Sequence, residues 1–193
     1  LTRDCLIPRA DTEFVCEKAL SLLPENARAA DLCTGSGCIA IVLAKHGGAH
    51  VFACDISAGA IEKAKENAEA NGVSALTEFS VADVKSDVLN GKYDMIISNP
   101  PYIRTVDIAG LDESIGYEPY IALDGGGDGM DFYRAILRYA PSHLKTDGKI
   151  IFEIGYDEET EIKNLAASFG LGCEVFRDYG GNPRAAVIFR KEE

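Results

Sequence analysis

The sequence predicts an α/β fold in which helices cover both faces of a doubly wound, mostly parallel sheet. Three observations predict it. Strand-like and helix-like segments alternate along the chain, a glycine-rich turn joins the first strand to its helix, and residues 93–98 form the apolar run expected of a strand buried on both faces. With 193 residues, of which 47% are hydrophobic, residues 1–193 are expected to form a single domain.

The spacing of apolar residues, and the residue types that begin and end helices and strands, predict the elements in order along the chain. Apolar residues at helical spacing predict a first helix at 11–23, and further helices are predicted at 38–45, 57–71, 130–139 and 157–169. Strands are predicted at 28–33, 51–55, 77–82, 93–98 and 149–154, and strands at 173–177 and 185–190 are expected to close the sheet as a hairpin. The long irregular connection at 99–129 is interpreted as the substrate side, with a flexible glycine loop at 124–129.

Charge and composition narrow the classes of function. The net charge is −12 and no cluster of Lys and Arg is visible, so we expect no direct binding to nucleic acid. Apolar runs are far shorter than the roughly 20 residues that span a bilayer. Since no secretion signal is visible either, we expect a cytoplasmic protein with no membrane partner. The cysteines lack zinc spacing, and Gly47 and Gly48 separate His46 from His50, so no metal site is predicted.

The first predicted strand leads into Asp31-Leu-Cys-Thr-Gly35-Ser-Gly37, a segment suited to binding a cofactor. Glycine at positions 35 and 37 permits a sharp turn and lets backbone N–H groups approach a ligand closely. Asp55 ends the second strand, where it can accept hydrogen bonds from a ribose diol. These features suit both a nicotinamide dinucleotide and S-adenosylmethionine, because the turn also meets the Rossmann fingerprint.

Two acidic residues favour S-adenosylmethionine. Asp31 could engage the ammonium group of its methionine moiety, directly or through water, and would repel a pyrophosphate. Asp83 follows the third strand and could accept from the adenine amino group, while Val84 supplies apolar contact. Asp83 is equally suited to be a simple strand-end cap. Together with Asp55, these residues predict a methyltransferase cofactor site.

The motif Asn99-Pro100-Pro101-Tyr102 follows the fourth strand and predicts the catalytic site. Two prolines fix the backbone and leave the Pro100 carbonyl as a free acceptor. The side-chain oxygen of Asn99 and that carbonyl can each accept one proton of a planar NH2 group, with the Tyr102 ring lying on the plane. The motif therefore predicts methylation of an amide or exocyclic amino nitrogen, with no metal.

With these residues in hand, the sequence resembles the HemK-like family, the glutamine N(5)-methyltransferases that modify the Gly-Gly-Gln loop of peptide-chain release factors. The resemblance covers nearly the whole chain. Its motifs are Leu6 to Glu13, Asp31 to Ala40, Asn99 to Ile103, Tyr117-Glu118-Pro119, Gly125 to Gly129 and Arg177 to Asn182. Ala10 stands where the family usually has a second proline, and Cys33 where it usually has glycine.

The resemblance implies a Rossmann-like class I methyltransferase fold and translation termination as the process served. It adds Thr34, Ile56 and Asn99 to the cofactor-binding residues, and it implies substrate contacts by Arg9 and Glu118 as well as by Asn99, Pro100 and Tyr102. The family also carries a small helical N-terminal domain that helps to engage the release factor, and this chain is expected to lack it.

Three alternatives stay open at the sequence level. An adenine amino-methyltransferase acting on nucleic acid would hold its NH2 group equally well, but the acidic composition and the absence of spare length for target recognition count against it. A non-catalytic module that binds S-adenosylmethionine would not need an intact Asn99 motif. A dehydrogenase is disfavoured by Asp31 and by the lack of an evident hydride-transfer residue.

Overall fold

Seven strands form one sheet in the computed structural model, which describes residues 9–110 and 119–191. Along the sheet, the strands stand in the order β3-β2-β1-β4-β5-β7-β6. Their bounds are Arg28–Leu32 for β1, His50–Asp55 for β2, Thr77–Val81 for β3, Tyr93–Ser98 for β4, Leu144–Glu153 for β5, Leu171–Arg177 for β6 and Pro183–Arg190 for β7. The predicted strands are all found, and β1 to β5 run parallel as expected.

The helices alternate with these strands, as the periodicity predicts. They are α1 at Ala10–Leu22, α2 at Cys38–Gly47, α3 at Ala58–Ala70, α4 at Asp131–Tyr139 and α5 at Glu159–Ser168. Ser57 caps α3 by accepting a hydrogen bond from the backbone nitrogen of Ala60 at 3.2 Å. Among the helices that the structure describes, none combines the length and the apolar character needed to cross a membrane.

Hydrophobic side chains pack on both faces of the sheet, which confirms the doubly wound arrangement. On β5, Ile150 and Phe152 face α4 and α5, whereas Ile151 faces α1 and α2. Tyr133 of α4 packs edge-on against Phe152, with 5.0 Å between the ring centroids. The alternation along β5 places the next residue, Glu153, on the α1 side.

The closing hairpin is confirmed, and one strand is longer than the sequence indicates. β7 pairs antiparallel with both β5 and β6, so it enters the sheet between them. β5 begins at Leu144, five residues before the predicted start. The difference arises because 145–147 is exposed at the start of the strand and carries no apolar alternation.

The connection after β4 is more ordered than the sequence suggests. It includes short 3-10 turns at Ile108–Gly110 and Tyr120–Ala122. The glycine loop at 124–129 is not free: the backbone nitrogen of Gly125 donates to the carbonyl of Ile103 at 2.8 Å, and that of Thr105 donates to the carbonyl of Gly126 at 3.0 Å. The expectation of a flexible loop is therefore wrong for these residues.

Candidate active site

A cleft opens at the carboxyl ends of β1, β2, β3 and β4, where an open parallel sheet binds ligands. With its solvent-open mouth it contains about 1060 Å³ of space, enough for a cofactor. The sequence-predicted residues that line it are Thr34, Gly35, Asp55, Ile56, Asp83, Val84, Asn99 and Pro101. Further lining comes from Thr12, Cys33, Ser36, Cys38, Ile39, Ser57, Ala82, Lys85, Pro119, Ile121, Ala122 and Phe132.

The turn after β1 has the backbone that its glycines predict. Gly35 and Gly37 have φ angles of +54° and +81°, in the left-handed region that favours glycine. A Cβ atom on Gly37 would lie 2.9 Å from the Cβ of Ala64, so the turn packs directly on α3. Cys33 adopts φ +59° without being glycine, at the position where the sequence departs from the family pattern.

Asp31 lies beneath this turn and is completely buried. Its Oδ2 accepts from the Thr34 hydroxyl at 2.5 Å and from the backbone nitrogen of Ala40 at 3.0 Å, which holds the turn against α2. Burial raises the pKa of Asp31 from 3.8 to about 7. Its Oδ1 has no hydrogen-bond partner in the part of the chain that the structure describes. Asp31 does not line the cleft, so the structure does not show the predicted direct contact between its carboxylate and an ammonium group.

Asp55 faces the cleft and already accepts two backbone hydrogen bonds. The nitrogens of Gly35 and Ser57 each donate to one carboxylate oxygen at 2.9 Å. A carboxylate offers about four acceptor positions, so two are left for a ribose diol. The neighbouring Ile56 is half exposed and gives the cleft an apolar wall.

Asp83 forms a strand-end turn and also lines the cleft, and its predicted contact with adenine stays a prediction. Its Oδ1 accepts from the backbone nitrogen of Lys85 at 2.9 Å, which is a strand-end turn, and its side chain also lines the cleft. Lys85 and Phe132 complete this end, with the Lys85 ammonium 4.7 Å from the centre of the Phe132 ring. No sequence signal points to this pair, because Phe132 has the pattern of an ordinary apolar position of α4.

The four residues of the Asn99 motif are divided between cleft and core. Asn99 and Pro101 line the cleft, whereas Pro100 is buried outside its lining. Tyr102 packs against the core cluster on the α4 side, and burial raises the pKa of its hydroxyl. Tyr102 does not line the cleft, so the structure does not show the predicted placement of its ring on a planar substrate group.

The two remaining predicted substrate residues lie at the edge of what the structure describes. Arg9 is exposed immediately before α1, on the side of the molecule from which Thr12 enters the cleft. Glu118 lies outside the described residues, as does Tyr117 beside it. Their predicted roles stay predictions.

Thr12 and Glu153 are site residues that sequence reasoning missed. The Thr12 hydroxyl donates to Glu153 Oε2 at 2.8 Å, and the Asn99 side-chain nitrogen donates to that hydroxyl at 3.4 Å. Burial raises the pKa of Glu153 to about 7. The available signal was a carboxylate ending the apolar run at 150–152, which is an expensive place for a charge.

The residues present fit S-adenosylmethionine. Asp55 offers acceptors for a diol, Ile56 and Val84 offer apolar surface, and Asp31 holds an unpartnered buried oxygen close to the turn. Of the described residues that line the cleft, the charged ones are Asp55, Asp83 and Lys85, a balance that favours a cationic sulfonium over a pyrophosphate. In the described residues, no group of His, Cys, Asp and Glu side chains could hold a metal ion.

Comparisons with known proteins agree with this geometry. Residues 14–111 match the Methyltransferase small domain family. A release factor glutamine methyltransferase from Moorella thermoacetica is 40% identical, over 100% of this chain and 70% of its own length. Another from Cereibacter sphaeroides is 41% identical, over 95% of this chain and 66% of its own length. A ribosomal protein L11 methylase from Lactobacillus delbrueckii subsp. bulgaricus has a similar structure, with a TM-score of 0.70 at 24% identity over 96% of this chain and 81% of that one.

The structural similarity confirms the predicted class I methyltransferase fold. The sequence similarity also identifies the family. The chain spans 70% and 66% of the lengths of the two sequence relatives. Both relatives carry the same name and match at least 95% of this chain at about 40% identity. By this measure, the chain belongs to the release factor glutamine methyltransferase family.

Proposed function

We propose that the chain transfers the methyl group of S-adenosylmethionine to the side-chain amide nitrogen of glutamine in the Gly-Gly-Gln loop of a peptide-chain release factor. The observation that carries the proposal is the orientation of Asn99. Its side-chain nitrogen is used in the hydrogen bond to Thr12, so its oxygen is left as the acceptor at the cleft. An acceptor is what an incoming NH2 group requires.

The cofactor end of the cleft is built from the chain's own acceptors and turns. Asp55 is held in place by Gly35 and Ser57, which leaves its remaining lone pairs for the ribose hydroxyls. Val84 and Ile56 contribute the apolar contacts of the adenosine moiety. When bound, S-adenosylmethionine supplies an electrophilic methyl group on a positively charged sulfur.

The acceptor end orients a weak nucleophile. An amide nitrogen reacts poorly because its lone pair is delocalised, and two acceptors that draw on its protons favour the build-up of charge on it. Asn99 Oδ1 and the carbonyl of Pro100 are the proposed acceptors. Transfer of the methyl group would form the new N–C bond as the C–S bond breaks, with the electron pair of that bond left on sulfur and the proton of the nitrogen released to water. Placement of the reactants supplies a large part of the rate enhancement, up to roughly 7–11 kcal/mol in the best intramolecular cases.

The direct test is methylation of a purified release factor. The chain is incubated with S-adenosylmethionine carrying a labelled methyl group, and the label is located by mass spectrometry. The expected product is a single methyl group on the glutamine of the Gly-Gly-Gln loop. A release factor with alanine in place of that glutamine is the matched control and should take up no label.

The same assay with oligonucleotides as substrates distinguishes the proposed function from adenine methylation. DNA and RNA oligonucleotides that contain adenine should stay unlabelled, in keeping with the net charge of −12. Label on adenine and none on the release factor would overturn the proposed substrate.

A further inference from the structure

Thr12 and Asn99 line one wall of the cleft, and Glu153 lies buried behind them. Ser98 of β4 pairs with Phe152 of β5, so Asn99 and Glu153, which follow them, lie side by side at the ends of adjacent parallel strands. The first turn of α1 places Thr12 across both. The resulting chain of hydrogen bonds runs from the Asn99 nitrogen to the Thr12 oxygen at 3.4 Å and from the Thr12 hydroxyl to Glu153 Oε2 at 2.8 Å.

The carboxylate of Glu153 sets the direction of these hydrogen bonds. An ionised carboxylate only accepts hydrogen bonds, so Glu153 takes the single proton of the Thr12 hydroxyl. That hydroxyl then offers only lone pairs to Asn99. The Asn99 amide must therefore turn its NH2 group towards Thr12, and its oxygen is left for the cleft.

Burial makes the charged carboxylate of Glu153 unfavourable in free energy. Thr12 is 5% exposed and Glu153 2% exposed, and a buried carboxylate is unfavourable unless it is well paired. The hydrogen bond to Thr12 helps the carboxylate stay charged, and so does Arg184 from β7. A Leu or Met at position 153 would give the core the same volume without that penalty.

We propose that Thr12 and Glu153 are positioning residues, which hold the Asn99 amide with its oxygen directed at the nitrogen to be methylated. The inference rests on the proposed function for its substrate, but the orientation of the Asn99 amide can be measured without any substrate. Neither residue touches the reacting atoms. Both act through Asn99.

The charge state of Glu153 should appear in the pH dependence. Burial raises the pKa of Glu153 to about 7. In the part of the chain that the structure describes, the ionisable groups around it are Arg9, Asp11, Cys16, Cys38, Tyr102, Tyr133 and Arg184. Below that pH, a protonated Glu153 can donate to Thr12, which frees the Thr12 proton for Asn99 and allows the amide to reverse. The rate at saturating substrates should therefore fall as pH drops through about 7. Asp31 and Glu158 also titrate near 7, so Glu153→Gln is compared with the wild type at each pH.

The experiment compares Thr12→Val, which keeps the side-chain shape and removes the hydroxyl, with Thr12→Ser, which keeps the hydroxyl. The control is Thr77→Val, the same change at a partly buried threonine at the start of β3, far from the cleft. Single-turnover methylation of the release factor should slow about tenfold or more in Thr12→Val. Affinity for S-adenosylmethionine should stay within about twofold, and Thr12→Ser should recover most of the rate. In Glu153→Gln, the fall in rate that Glu153 causes as pH drops through about 7 should be absent.

A second readout is independent of catalysis. In the wild type, one side-chain amide proton of Asn99 is donated to Thr12, and it should exchange with solvent more slowly than the same proton in Thr12→Val, as followed by NMR. A wild-type rate in folded Thr12→Val, or equal losses in Thr12→Val and Thr77→Val, would overturn the inference and leave the proposed function standing. Failure of the wild type to methylate any release factor would overturn the proposed function, while the exchange comparison would still decide the orientation of Asn99.

Discussion

The backbone nitrogen of Gly35 donates a hydrogen bond at 2.9 Å to the carboxylate of Asp55, so one side chain both faces the cleft and holds the glycine turn. Asp55→Ala removes the acceptor for the ribose hydroxyls and also releases the turn. We expect affinity for S-adenosylmethionine to fall by roughly 1.5–3 kcal/mol, the scale of a lost hydrogen bond to a charged group. Isothermal titration calorimetry measures this change.

Asp55→Asn serves as the shape-matched control for that measurement. Asparagine has one acceptor oxygen for the two backbone donors at Gly35 and Ser57, and its NH2 group would face one of them. The affinity should therefore fall in this variant too. Unchanged affinity in a folded Asp55→Ala protein would rule out the assigned contact.

Asn99→Ala should affect chemistry rather than cofactor binding. It removes the acceptor proposed for the substrate NH2 group, so we expect kcat to fall by about 10²-fold or more, with affinity for S-adenosylmethionine nearly intact. Single-turnover methylation at saturating cofactor and release factor gives the rate. A wild-type rate would mean that the motif after β4 has only a structural role.

Asn99→Asp should disrupt the site although it keeps an acceptor oxygen at this position. The new carboxylate would face the Thr12 hydroxyl, whose one proton is already donated to Glu153. Two acceptors would then compete for one proton, and two negative charges would lie close together. We expect a loss of kcat no smaller than that of Asn99→Ala. A variant that retains most of the wild-type rate would show that oxygen at this position is sufficient.

Cys33 is held at φ +59°, where an L-residue is strained and glycine is not. Substitution changes packing as well as strain, so the informative comparison is between Cys33→Gly and Cys33→Ala. Both variants lose the sulfur, and only glycine relieves the backbone. We expect Cys33→Gly to be more stable than Cys33→Ala by about 1 kcal/mol in urea unfolding. Equal stabilities would mean that the turn relaxes around residue 33.

Asp31 makes stability depend on pH in an unusual direction for an acid. Its pKa is raised from 3.8 to about 7 by burial, so between those values the folded protein keeps a proton that the unfolded chain releases. The free energy of unfolding should therefore fall as pH rises from about 4 to 7, by at most about 1.4 kcal/mol per pH unit for this group. Asp31→Asn, which cannot titrate, should flatten the slope in urea unfolding across that range. The slope from Glu153 and Glu158, whose pKa values are also raised, should remain. Parallel curves for the two proteins would contradict the assignment.

The sequence predicts the sheet well because its signals are local. Alternation, glycine turns and apolar runs locate each strand, and the ends of β1, β2 and β4 then bring Gly35, Asp55 and Asn99 to one edge. Contacts between distant residues have no such signal. Thr12 and Glu153 are 141 positions apart, and only the packing of α1 against β5 makes them neighbours. For Asp31 and Tyr102, the sequence indicates proximity to the cleft but not whether a side chain points into it or beneath it.

Next to Asn99, the segments 103–105 and 123–126 are joined by backbone hydrogen bonds, including Ile103 nitrogen to the carbonyl of Leu123 at 3.0 Å. These bonds close a loop of chain at its base. The chain that leaves Asn99 is thereby tied to the chain that leads into α4. Loss of these bonds would loosen the wall of the cleft that Asn99, Pro101 and Ala122 form together. The shape of that wall therefore depends on pairing between two stretches of backbone that belong to no strand of the sheet.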